Sequence, residues 1–206
     1  MTTPEAPNPR GRPRTITRER IAQAGMGIGL PHITFVGVAA ALGVSHMALY
    51  KHVANLEELK RLVAEEIFSR WQIPSCEDSH DLPAYLVAFT ASIQAFVQAH
   101  PGITPYVIRR MAATPSMLSR IEQHQRQVAS RYGIGHEQAR RLLATIAFHA
   151  FAAADTVYTA TGRHAMQPAI EQDAETAELE HEFTLGMQAL ITGALLVMQV
   201  QTPASL

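Results

Sequence analysis

The stretch "SHMALYKH", residues 45–52, gathers two histidines, a methionine, a tyrosine and a lysine. Such a set can ligate a metal, lie on an ordinary core helix, or form a surface that touches something. Metal ligation fails on geometry. His46 and His52 are six residues apart, about 240° around a helix of 3.6 residues per turn. They do not converge, and no Cys or carboxylate at helical spacing completes a zinc site. A plain core helix accounts for half of the stretch, because Leu49 and Val53 are four apart and share a buried face. His46, Met47, Tyr50 and Lys51 lie together on the other side and are left free.

A helix-turn-helix accounts for both sides. Thr34 is placed to cap a helix that carries Phe35, Val38, Ala39 and Leu42 at helical spacing. Gly43 ends it with a residue tolerant of positive φ. Ser45 opens the next helix, expected to run to about Val53. Ala39, four before the turn glycine, is small enough for close approach, and Val38, Leu42, Val44 and Leu49 supply apolar contacts. The free face of the second helix can then enter a major groove. A helix expected over Thr17–Met26 precedes this pair. One capped by Asn55, with Glu58 three residues on, follows over about Leu56–Gln72.

The segment "ITFVGVAAALGVSHMALYKHVANLEEL", residues 33–59, resembles the DNA-binding domain of the tetracycline-repressor (TetR) family. Both the Ala39…Gly43…Leu49 spacing and the "LYKHV" segment carry the likeness, which covers about Thr17–Val63. It implies that Thr34, Tyr50 and His52 contact DNA phosphates, and that Ser45, His46, Met47 and Lys51 face the groove. Many members carry a phosphate-binding Lys where Asn55 or Leu56 stands here. In its absence the backbone N–H groups of the Asn55-capped helix are left for that contact. Upstream, "RGRPRT" resembles the arm of many members. Arg12 and Arg14, alternating with Gly11 and Pro13, cannot be helical. They suit either an extended arm in the minor groove or a soluble tail.

Charge divides the chain the same way. Residues 1–61 carry eight Lys/Arg against four Asp/Glu, and the remainder nine against fourteen. A basic front on an acidic body points to an anionic partner at the front, with chance clustering as the alternative. Three parts are expected: a disordered basic arm at 1–16, a helix-turn-helix DNA-binding domain at 17–63, and a helical ligand-binding and dimerisation domain at 64–206. The fold class is all-α with about nine helices, since no strand-like alternation occurs anywhere.

In the body, the resemblance implies a homodimer and a pocket for a small, largely apolar effector. The last helix carries Phe183, Met187, Leu190, Ala194 and Val197 at 4-3-4-3 spacing, a heptad-like stripe expected at the dimer interface. Such a stripe can equally be the chain's own core. Tyr85, Phe89, Ile93, Phe96, Tyr106, Met111, Met117, Phe148, His149 and Phe151 are the expected pocket residues. Taken singly, aromatics at helical spacing are more often core.

Other classes are disfavoured. Glu178 and His181 form one Glu-x-x-His spacing, but a di-iron bundle needs two. His149 and Asp155 do not share a helix face, and no nucleophile, phosphate-loop, metal or cofactor pattern occurs. A helical adaptor that binds a protein partner through the last helix stays open. The single cysteine and the lack of an apolar signal core point to a cytoplasmic protein. The most apolar run, "LITGALLVMQV", is too short to span a bilayer.

Overall fold

The computed structural model describes residues 16–109, 111–161 and 169–200. Every regular element among them is helical. The expected basic arm, with Arg12 and Arg14, and most of the "TGRHAMQP" loop lie outside the described residues.

The first helix, α1, spans Arg18–Ile28, and the Thr17 hydroxyl caps it by accepting from the Arg20 N–H at 3.3 Å. It runs two residues past the sequence expectation, straight through Gly25 and Gly27. Gly25 is there because α4 crosses at that point. A Cβ on Gly25 would meet Val63 Cγ2 at 2.3 Å, so only glycine allows the two helices this separation.

Helix α2 spans Phe35–Leu42, and Thr34 Oγ1 accepts from the Gly37 N–H at 2.9 Å. Gly43 sits in the left-handed region at φ 68°. There the Val44 N–H reaches Ala39 O at 3.0 Å and the Gly43 N–H reaches Ala40 O at 3.1 Å. These are the two bonds that close a helix in a Schellman motif. Helix α3 is shorter than expected, covering only His46–Leu49. The N–H groups of His52 and Val53 both fall back on Leu49 O, so the chain tightens into a turn after one helical turn.

Helix α4, Leu56–Arg70, starts as its capping pattern predicts. Asn55 Oδ1 accepts from the Glu58 N–H at 2.9 Å, and Glu58 Oε2 accepts from the Ala54 N–H at 2.7 Å. The division expected at residue 63 falls inside this helix. Its first half packs on α1 and its second half on α7, so one rigid element belongs to both parts.

The body holds α5 (Leu82–Ala99), the short α6 (Thr104–Ile108), α7 (Pro115–Tyr132), α8 (His136–Thr161) and α9 (Ala169–Val200). α5 is the central element and packs against α8 and α9. It is also the one helix among the described residues with the length and hydropathy of a membrane span. Here those apolar residues, among them Tyr85, Leu86, Phe89 and Ile93, line the protein core. The acidic segment and the last helix, which the sequence presents as two stretches, form the single helix α9. One buried cluster runs without interruption from Ile21 in α1 to Ile191 in α9.

Candidate nucleic-acid interface and effector cavity

The turn between α2 and α3 presents one face outward and anchors the other. Leu49 and Val53 are fully buried among Val38, Ala39 and Leu59. Ser45, His46, Met47, Tyr50 and Lys51 are exposed, while His52 is half-buried. Ser45 holds the N-cap position but its hydroxyl makes no capping bond, which leaves it free to meet a ligand. Thr34 is exposed at the start of α2. Its neighbour Phe35 stacks on Tyr50, with ring centroids 4.5 Å apart and planes 10° from parallel. That stack brings the two phosphate-contact candidates, Thr34 and Tyr50, to one edge of the motif.

Two residues of this region carried no sequence signal. Arg18 of α1 donates to His52 O and pairs with Glu58 at 3.1 Å, which ties α1, the turn after α3 and the start of α4 together. Glu58 is thereby held below the usual carboxylate range, chiefly by the Ala54 N–H and then by Arg18. The N-terminus of α4 is therefore already occupied by a carboxylate, and Arg18 is the cation beside it. Val36, on the outer side of α2, is 69% exposed and extends the apolar part of the face. Among the described residues no group of three or more His, Cys, Asp or Glu is placed to hold a metal ion.

In the body, a cavity of about 260 Å³ lies between α4, α5, α6, α7 and α8. Its walls include Phe68 and Trp71 at the end of α4, Phe89 of α5, Val107 and Ile108 of α6, Ile121, His124 and Gln125 of α7, and Leu143, Phe148 and Phe151 of α8. Trp71 is the hub. It stacks on Phe96 at 4.8 Å and meets Phe151 edge-on at 5.9 Å, and its indole N–H donates to Ser92 Oγ at 3.0 Å. Phe148 stands half in solvent, 52% exposed.

Only part of the expected pocket set lines this cavity. Phe89, Phe148 and Phe151 do. Tyr85, Ile93, Phe96 and Met117 are buried packing behind the wall. Tyr106 is buried too, but its hydroxyl leaves toward Glu57 of α4 at 3.4 Å. Met111 is in the turn after α6 and is 94% exposed, which removes it from the pocket set. His149 is exposed and bonds Thr145 O through Nδ1–H at 2.7 Å, so it points away from the cavity's business as well. Sequence reasoning missed Trp71, His124 and Gln125. The two polar residues sit on an α7 whose exposed side is strongly polar, and nothing in the spacing separates them from their solvated neighbours.

His124 and Gln125 are 7% and 8% exposed. The His124 ring is pushed down to about 4, by burial first and by the Arg120 charge second, so it is neutral at ordinary pH. Its Nε2 meets the Tyr85 hydroxyl. Arg120, one turn earlier on α7, donates to Phe68 O, Ser69 O and Trp71 O. A guanidinium thus closes the C-terminus of α4, where unpaired carbonyls and the helix dipole favour a cation.

The heptad-like stripe of α9 also divides. Phe183 and Met187 are buried against α5, beside Val87, Thr90 and Ala91. Leu190 and Ala194 are half-buried against the core, and Val197 is 57% exposed. The stripe is therefore mainly this chain's own packing, because 4-3 spacing serves an internal helix contact as well as an intermolecular one. On the face of α9 away from Phe183 and Met187, Leu185 and Leu196 are exposed, with Ala189 and Gly193 exposed between them.

Compared with known proteins, no family model and no curated relative matches the sequence. Solved structures do match over nearly their whole length. A possible TetR-family transcriptional regulator from Streptomyces coelicolor A3(2) is 19% identical, with a TM-score of 0.69 over 88% of this chain and all of that one. The Streptomyces coelicolor TetR-family protein ActR, solved with actinorhodin, is 20% identical, with a TM-score of 0.61 over 88% of this chain and 96% of that one. A TetR variant from Acinetobacter baumannii AYE, solved with minocycline, is 18% identical, with a TM-score of 0.64 over 87% and 96%. The chain has the all-α fold of TetR-family transcriptional regulators.

Proposed function

We propose that this chain is a DNA-binding transcriptional regulator of the TetR type, a homodimer that represses from a palindromic operator and is released by a small, largely apolar effector. One observation carries the reading: a helix-turn-helix with an anchored inner face and an outward Ser45, His46, Met47, Tyr50 and Lys51 shares α4 with an aromatic cavity. In this reading Tyr50, His52 and Thr34 hold phosphates and fix register, while Met47 and Lys51 reach base edges. Arg12 and Arg14 supply the arm, and Arg18 stands in for the cation that Asn55 and Leu56 lack.

The coupling is mechanical. α4 begins beside the reading helix and ends at Phe68 and Trp71 in the cavity wall. An effector that prefers one packing of α7 against the end of α4 shifts the population toward a dimer whose reading helices are wrongly spaced. The similar structures solved with actinorhodin and with minocycline support a small-molecule role for this fold. Dimerisation runs through the outward side of α8 and α9, with Leu185 and Leu196 exposed on α9. A domain division at about residue 63 and a cytoplasmic location follow from the same reading, and no enzymatic role is assigned.

Selection of bound duplexes from a random-sequence pool, followed by footprinting, tests this. A two-fold symmetric site with half-sites about one helical turn or a multiple apart is the expected product. A chain that enriches no sequence, yet still captures a protein through α9, is the adaptor of the second reading.

A further inference from the structure

We propose that the effector is a flat, uncharged aromatic compound of about two fused rings that carries a carbonyl oxygen, held by His124 and Gln125 against the aromatic wall formed by Trp71, Phe89 and Phe151. The inference rests on the ligand-responsive reading above and names the chemistry that the same cavity selects.

The rings set the shape. Trp71 lies nearly parallel to Phe96 and, at 6.2 Å and 23°, to Phe89, while Phe151 closes the end edge-on. These rings pack on one another, and Trp71, Phe89 and Phe151 line the cavity as one aromatic wall with Phe148, which favours a π-system laid against it over a bulky aliphatic one. The volume of about 260 Å³ sets the size, since it is at the small end of ligand cavities.

The hydrogen bonds set the polar group. Two side chains more than nine-tenths buried line an otherwise apolar wall with bonding capacity unspent. Gln125 makes no hydrogen bond to any described residue, and His124 makes only the one through Nε2. The Gln125 amide is not a dry orphan, since among the described residues the buried unpartnered side-chain atoms are Arg61 Nε and Thr104 Oγ1; a ligand group that bonds it takes the place of solvent in the cavity. Tyr85 is protonated, burial having pushed its hydroxyl far above the ordinary range. It meets Nε2 of the neutral imidazole and also reaches Pro74 O at 3.5 Å, so Nδ1 is left as donor or acceptor according to the tautomer. The Gln125 amide N–H is the donor of this wall, and an acceptor oxygen answers it.

Charge is set by what is missing. Arg120, beside the cavity, is committed to three carbonyls at the end of α4. Among the described residues no cation lines the cavity, so an anion entering it loses hydration without a partner there.

Trp71 is the only tryptophan in the sequence, so its fluorescence reports occupancy of this cavity alone. The full-length protein is titrated with three probes of one size: 2-acetonaphthone, 2-ethylnaphthalene and the anion 2-naphthoate. Saturable quenching by 2-acetonaphthone is expected, with affinity about tenfold above both others, the worth of one buried hydrogen bond. In Gln125→Leu, and in His124→Phe where it folds, that preference falls to about parity. Equal binding of the ketone and the hydrocarbon to the wild type overturns the proposal, as does tighter binding of the anion or a ketone preference that survives Gln125→Leu. Operator release is read separately. Ketone binding that leaves the DNA complex intact sinks the regulator reading alone. Release by some other molecule, with no ketone binding, sinks this proposal alone.

Discussion

Phe35 and Tyr50 lie ring on ring at 4.5 Å, which makes a residue of the first motif helix the platform for a residue at the end of the second. A stacked pair of this kind contributes about 0.5 to 1.5 kcal/mol beyond its buried area. Its larger effect is on direction, because it fixes where the half-exposed Tyr50 hydroxyl points. Phe35→Ala is expected to weaken operator binding about three- to tenfold with little change in helical circular dichroism. Tyr50→Phe keeps the stack and loses only the hydroxyl, with a loss of about fivefold. The double variant should lose less than the product of the two. Multiplicative losses in a mobility-shift titration would show that the stack does not position the hydroxyl.

Lys51 acts at longer range. It is exposed, and none of the ion pairs among the described residues includes it. If it meets a phosphate, Lys51→Ala lowers affinity for all sequences alike and reduces the slope of log affinity against log salt by about one. If it reads a base, the loss is confined to one operator position. Binding measured at several salt concentrations, on the selected site and a scrambled one, separates the two.

Arg120 joins the two halves of the molecule. It donates to three carbonyls at the end of α4 and lies over the Phe68 ring at 5.6 Å. Arg120→Met keeps the stem and removes the donors, and should cost about 2 to 4 kcal/mol in urea unfolding. Arg120→Lys restores charge but not the fork, and should recover less than half of that.

Acid should destabilise the protein in two steps. His124 is neutral in the fold down to about pH 4, whereas the unfolded chain protonates it near the ordinary value of 6.5. Between those values the unfolded state binds more protons, so stability rises with pH and is lost as pH falls from 6.5 toward 4. The shift corresponds to about 3 kcal/mol at pH 4. Carboxylates whose folded values are depressed act lower. Glu58 and Glu137, the latter held at about 2 by Arg140 and Arg141, lose their contribution only below 4.5. Urea midpoints of wild type and His124→Gln from pH 7 to 4 check this. The variant should be flatter than wild type from pH 6.5 down to 4.

What the sequence disclosed follows from how local each determinant is. Thr34, Gly43 and Asn55 act through bonds to residues within four or five positions, and those caps and the turn stand where spacing puts them. The length of α3 was not legible, because Leu49 O takes both later N–H groups and no residue type announces that. The cavity was hardest. Trp71 lies just beyond α4 and His124 within a polar helix, and they meet only because α4, α5, α7 and α8 pack together. Gly25 is a related case. As a letter it is a helix breaker, but the contact with Val63, 38 residues away, makes it a packing requirement.

That contact gives a direct test of the α1–α4 crossing. Gly25→Ala is expected to cost about 1 to 3 kcal/mol, since the added methyl has no room. Val63→Ala alone also destabilises, by leaving space behind. Together they should be less harmful than their sum, because each relieves the other. Additive urea-unfolding losses would place the helices farther apart than described.

The outward side of α9 decides the assembly. Leu185 and Leu196 are about half in solvent, on the side away from the buried Phe183 and Met187. Exposed leucines on one helix face are an apolar surface that a free monomer has no reason to keep. Leu185→Glu with Leu196→Glu should give a folded monomer by light scattering at micromolar concentration. Phe183→Glu should instead unfold the chain, because it places a charge against α5. The monomer would read one half-site and so lose most operator affinity, while its binding of 2-acetonaphthone stays within a few-fold. A double variant that remains dimeric moves the interface off this face of α9.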